Sequence, residues 1–209
     1  MTRVPRTRCC DSETIHGVDG VEIAILQAPA GQKAFSQTHR SSTVKGLVGP
    51  KSRAAPPLHI HTHEDETIEV VKGDMGVLID GEVHRLSAGA TISVPRGARH
   101  TFWSASASSD LTVRINMSDC SPRHGADETF LRNVYGHLAD AERHKVQPNK
   151  LQLAVMLARA DIILALPRPV PKFICAALTH TLAFIGRTMG FKPTYDEYAR
   201  PESEDAKEP

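Results

Sequence analysis

The sequence predicts a mainly β protein, an antiparallel sandwich or barrel, followed by a C-terminal set of about three α-helices. Three observations carry this. Between residue 21 and about residue 120, apolar residues alternate in short runs separated by Gly and Pro, the period of half-buried strands. Turn signals recur about every 8–12 residues, as in sandwiches and barrels. After Gly125 the apolar spacing becomes helical, with the composition changing near Ser121-Pro122.

The elements follow in order. Residues 1–20, opening MTRVPRTRCC, read as a flexible N-terminal arm. Strands are expected over 21–25, 67–71 and 75–79, and Asp80-Gly81 then forms a two-residue turn in which both positions need positive φ. Strands over 82–86 and 91–94 come next. In the last run Leu111, Val113, Ile115 and Met117 alternate with Thr112, Arg114 and Asn116.

Asp127 caps a helix whose apolar face is Phe130, Leu131, Val134, Tyr135 and Leu138, with acids early and Arg143, His144 and Lys145 late. Pro148-Asn149 ends it. Leu151, Ala154, Val155, Ala158 and Ile162 form a second helical face, stopped by the proline-rich run 167–171. A third helix over 172–189 ends at Gly190. It is apolar nearly all round, so its large side chains are expected to be buried against the barrel, the second helix or a partner subunit. The domain plan is therefore an arm (1–20), a β-domain (21–120), a helical extension (121–192) and a disordered acidic tail (193–209).

Composition narrows the function classes. The 209 residues carry 25 Lys and Arg against 24 Asp and Glu, a formal charge of +1, so no electrostatic drive towards nucleic acid is expected. No run is long and apolar enough for a transmembrane segment. Cys9 and Cys10 are adjacent, and Cys120 and Cys175 stand alone, which is no disulfide framework. With no apolar run behind the N-terminal arginines to make a secretory signal, a reducing, cytoplasmic location is expected.

The informative segment is PPLHIHTHEDETIEVVKG. His59 and His61 are two apart, so on a strand both imidazoles face one way and can grip one divalent ion. Glu66 lies at an odd separation from both and reaches that face only if the chain bends between Thr62 and Asp65. A second segment, GATISVPRGARHTFWS, supplies a turn at Pro95 and Gly97 and then His100. Three imidazoles and a carboxylate leave open positions on an octahedral ion, which suits Fe(II), Mn(II), Ni(II) or Cu(II) better than structural zinc.

In register, these segments resemble the two motifs of the cupin superfamily. His59, His61, Glu66 and Gly73 meet the first motif, and Gly89, Pro95, Gly97 and His100 the second. The sequence departs from the common pattern at Arg53, where Gly often opens the first motif, and at Ser104, where Asn often closes the second. The resemblance, over about residues 21–117, implies a single small jelly-roll barrel. It implies one divalent transition metal inside the mouth, held by His59, His61, Glu66 and His100, with Fe(II) first and Mn, Ni, Cu or Zn as alternatives.

The resemblance implies, as the expected activity, a metal-dependent oxidoreductase of the dioxygenase type acting on a small molecule, with Glu66 doubling as a catalytic base. The alternatives are a redox-neutral isomerase, cyclase or lyase, and a non-catalytic small-molecule binder. His63 is expected at the rim, and Phe102 or Trp103 as a substrate wall or packing. Glu64, Asp65 and Glu69 read as surface charges, Arg114 and Asn116 as an outer face, His180 as a core histidine and Cys175 as buried filler. The resemblance is compatible with a homodimer through sheet edges or helices.

Overall fold

A computed structural model of the chain describes residues 14–40, 55–118 and 124–199; Cys9, Cys10, Arg53, Cys120 and the Ser121-Pro122 boundary lie outside them. Eleven strands, all pairing antiparallel, form two sheets among the described residues. The six-stranded sheet contains β1 (Thr14–His16), β2 (Val21–Leu26), β3 (Gln32–His39), β10 (Leu111–Ser118), β5 (Glu66–Lys72) and β8 (Thr91–Val94), in that order. The five-stranded sheet runs β11 (Ile162–Leu164), β4 (His59–His61), β9 (His100–Ser104), β6 (Asp74–Ile79) and β7 (Glu82–Ser87). They do not close into one ring of hydrogen bonds; the expected jelly roll is a double sheet around a common core.

That core follows from the alternation in the sequence. On β10, Leu111, Val113, Ile115 and Met117 are buried and Arg114 faces solvent, paired to Glu69 at 2.8 Å. They pack with Ile23, Phe35, Ile68, Val70, Met75, Val77 and Phe102. Each such side chain contributes about 1.5–3 kcal/mol on burial. Asp80 and Gly81 take φ of 46° and 100° between β6 and β7, as the hairpin turn requires. Gly73 has φ 84°, and a Cβ there would lie 2.3 Å from the Asp110 carbonyl oxygen, so only glycine fits that corner.

The helical half is built into this core. Helix α1 (Glu128–Arg143) is capped by Asp127, whose carboxylate accepts from Phe130 N at 2.7 Å and from Arg159 at 3.1 Å. Phe130 and Leu131 join the β-core. Helix α2 (Lys150–Arg159) is capped by Asn149, which accepts from Leu151 N and Gln152 N. Ile162 does not continue the helical face as expected. The chain turns through Asp161 at φ 55°, and Ile162–Leu164 becomes β11 on the edge of β4.

The other departures have physical causes. Thr14–His16 pairs with β2, burying Ile15, so the arm enters the sheet before residue 20. Within the stretch expected to be tail, Tyr195 and Tyr198 are buried. Their hydroxyls donate to Gln152 Oε1 at 2.5 Å and Asp140 Oδ2 at 2.8 Å.

Helix α3 (Lys172–Thr188) packs through small residues rather than large ones. Cys175, Thr179, Ala183 and Gly186 are buried, and a Cβ on Gly186 would lie 2.7 Å from Val155. Apart from half-buried Leu182, the large residues turn outward, with Phe173 72% and Phe184 67% exposed, so the expected burial is corrected. His180 is likewise exposed, not a core histidine. No helix of the described residues is long and apolar enough to cross a membrane.

Candidate metal centre

The site sits where the two sheets face each other. β4 supplies His59 and His61, and β9, paired with β4 at His59 and His100, supplies the third imidazole. Glu66 comes from the opposite sheet, at the start of β5. Reaching it needs the expected bend, which residues 62–65 provide. Thr62 N and Oγ1 donate to Asp161 O, and Asp65 N donates to Ser118 Oγ at 2.8 Å. The two motif segments are also joined directly. Gly97 N donates to His61 O at 2.8 Å, and Arg96 pairs with Asp65 at 2.7 Å. The Pro95–Gly97 turn thus sets the distance between His61 and His100.

One ligand atom from each of His59, His61, Glu66 and His100 lies within 4.8 Å of every other. Ligands about 2.1 Å from one centre stand at most about 4.2 Å apart, so the set needs a small contraction to hold an ion. Nε2 of His59 and Nε2 of His61 are 3.1 Å apart, and His100 Nε2 lies 2.7 Å from Glu66 Oε2. Yet His100 Nε2 and Glu66 Oε2 are buried without a hydrogen bond of proper geometry. Two buried donor atoms this close, paired by charge but without hydrogen-bond geometry, fit a cation between them. The donor set is compatible with a divalent metal.

The electrostatics agree. Burial, reinforced by His100 and His61, holds the His59 pKa well below its usual value, keeping the ring neutral. Burial pushes Glu66 upward, but the charge and contact of His100 and the charge of His61 outweigh it, and its pKa is lowered. For His100 burial acts downward, and the Glu66 carboxylate with the Ala98 carbonyl turns the balance upward. Glu66 is therefore an anion at neutral pH.

A sequence profile described as the cupin domain matches residues 47–114, spanning all four residues. Across nearly the whole chain, the protein is 32% identical to the probable oxidoreductase virH of Hypocrea virens, covering 87% of this chain and 84% of that one. The chain belongs to the cupin superfamily. The oxidoreductase iacF of Pestalotiopsis fici is 33% identical over 78% of this cupin and 80% of its own length. Among solved structures, an RmlC-like cupin from Shewanella frigidimarina is 19% identical, covering 54% of this chain and 87% of that one at a TM-score of 0.42. Several relatives of this cupin thus carry the name oxidoreductase.

The other sequence candidates divide. His63 is exposed and outside the cluster. Phe102 and Trp103 are both buried: Phe102 faces the core beside His39 at 5.7 Å between rings, and Trp103 lies against Gly76. Glu64 is corrected from surface charge to buried carboxylate, 2% exposed, because Lys33 Nζ at 2.8 Å compensates it.

Three polar residues inside the cupin were missed. Gln37 and His39 are buried on β3 and hydrogen-bonded at 3.0 Å, and Tyr135 of α1 donates to Gln37 Oε1 at 3.5 Å. Burial pushes the Tyr135 pKa to about 12, Gln37 opposing and Glu66 adding, so the hydroxyl remains a donor. The segment QKAFSQTH lacks apolar alternation, so nothing in it marks a strand with polar residues inward.

Burial lowers the His39 pKa to about 4. The unfolded chain then binds more protons than the folded one between about pH 6.5 and 4, so stability falls as pH drops through that window. His39→Gln should remove about 2 kcal/mol of the stability difference between pH 7 and pH 5. Urea unfolding at the two pH values measures it; an unchanged difference contradicts a buried neutral His39.

Proposed function

We propose that this cupin is a mononuclear metal-dependent oxidoreductase of the dioxygenase type. It acts on a small organic molecule bound beside His59, His61, Glu66 and His100. The observation that carries the reading is the convergence of three imidazoles and one carboxylate, two of whose ligand atoms are buried without hydrogen-bond partners. A divalent iron held there would supply redox and Lewis-acid chemistry at positions the four side chains leave open.

The protein's own groups do the rest. Glu66, anionic and facing His100, can take a proton from a substrate where its second oxygen is free. Phe102, two residues beyond His100 on the same face, supplies an apolar wall, and the Gln37–His39–Tyr135 group supplies hydrogen bonds to substrate oxygens.

Phe102→Leu should therefore change KM while leaving metal content as in the wild type, because the ring is no ligand. Loss of metal in that variant would contradict its place as a wall. The reaction class is tested by screening the iron-loaded protein for oxygen uptake with small oxygenated organic molecules. Uptake coupled to substrate loss supports a dioxygenase. Substrate conversion without uptake overturns it in favour of an isomerase, cyclase or lyase, and an unmodified small molecule retained through purification favours a binder.

A further inference from the structure

Three imidazoles meet at the cluster, and what stands behind each ring differs. His59 and His100 present Nδ1 to backbone carbonyls, Pro57 O at 2.8 Å and Ala98 O at 3.1 Å. A carbonyl only accepts, so both rings carry a proton on Nδ1. His61 Nδ1 is buried without a hydrogen-bond partner, and Glu64 Oε2 stands 3.8 Å from it.

Glu64 is held by a purpose-shaped cradle. Its carboxylate accepts from Lys33 Nζ at 2.8 Å and from Ala126 N at 3.0 Å, and Lys33 Nζ also reaches His124 O at 2.7 Å. Gly125, at φ 58°, passes so close that a Cβ would lie 2.1 Å from Glu64 Oε1. An anion is thus fixed behind the one ligand ring that lacks a backbone acceptor.

We propose that Glu64 is the positioning residue of the metal site. It accepts the Nδ1 proton of His61, fixes that ring as an Nε2 ligand, and ties metal occupancy to the 124–127 segment that opens the helical half. The proposal rests on the metal reading above. With no cation present, the 3.1 Å contact between His59 Nε2 and His61 Nε2 is best served by a proton on His61 Nε2. That tautomer turns the Nδ1 lone pair towards the carboxylate, which is unfavourable. A cation taking both Nε2 lone pairs moves the His61 proton to Nδ1, where a small ring rotation gives it to Glu64. An imidazole backed by a carboxylate is a stronger donor to the cation, and such partners are worth about 10–100-fold in metal affinity. A purely structural Glu64 would alter stability and leave affinity and tautomer unchanged.

The test uses the full chain and zinc, which is diamagnetic. Histidine ¹⁵N–¹H correlation of the zinc-loaded wild type should show His61 bound through Nε2, with a hydrogen-bonded Nδ1 proton far downfield. Glu64→Gln keeps the shape but offers one acceptor oxygen in place of two. It should weaken zinc binding at least about 10-fold in competition with a chromophoric chelator and move that proton signal upfield. Lys33→Met keeps the acceptor, so it should lower the unfolding midpoint and hold zinc affinity within about threefold of the wild type.

A zinc-bound Nδ1 on His61 overturns the proposal without any variant. So does a Glu64→Gln protein whose affinity stays within about threefold with the His61 signal unmoved. Wild-type protein that takes up no metal overturns the metal reading itself, a separate failure.

Discussion

Replacing His61 or His100 by Ala should empty the metal site, whereas His63→Ala should leave most of the metal in place. Four-ligand sites bind with about 10–16 kcal/mol in apparent terms, so one ligand is worth about 3 kcal/mol. Its loss should weaken affinity by at least about a hundredfold. His100→Ala carries a second cost. It leaves Glu66, 4% exposed, without the imidazole that compensates it, and an orphaned buried charge costs about 3–5 kcal/mol. His63 is exposed and touches none of this. Metal content by elemental analysis and stability by urea unfolding read both effects. Turnover that survives in a metal-free His59→Ala, His61→Ala double variant would remove the cluster from the chemistry.

A chain ending at Ala160 should aggregate and hold no metal. The cut removes β11, which pairs Ile162 with His61 and Leu164 with His59, and leaves the strand that carries these two histidines as an unprotected edge. It also removes the buried Ile162, Ile163, Phe191, Tyr195 and Tyr198. At about 1.5–3 kcal/mol each, these match the whole stability of an ordinary domain, about 5–15 kcal/mol. Size-exclusion chromatography and metal analysis of the shortened protein decide the matter. A monodisperse, metal-loaded product would show that the helical half is separable from the site.

The site was more legible in the sequence than the structure around it. His59 and His61 declare themselves because a strand has a period of two, and Glu66 because its odd spacing demands the bend seen at 62–65. Strands β2, β5, β6, β8 and β10 show as alternation because one face of each is apolar, whereas β7 shows through the Asp80-Gly81 turn that precedes it. β3 does not, since Gln37 and His39 point inward in place of apolar residues. β11 was hidden because Ile162 extends the i+4 spacing of α2, and the break at Asp161 lies in a positive φ that its residue type only weakly signals. Glu64 sits in the polar run THEDE, where only tertiary contacts with Lys33 and Ala126 separate it from a solvated charge. On α3 the apolar composition obscured which residues pack: Ala183 and Gly186 meet α2, Cys175 and Thr179 meet β11, and the phenylalanines stay exposed.

One ion is expected to be held by His59, His61, Glu66 and His100. The most direct measurement is metal stoichiometry on protein purified anaerobically without chelators and then offered Fe, Mn, Ni, Cu and Zn in turn. About one ion per chain is expected, bound within about 2.0–2.2 Å by imidazole nitrogen and carboxylate oxygen as read by X-ray absorption. Protein that retains no stoichiometric metal under these conditions, or a metal site without histidine nitrogen, would contradict that expectation.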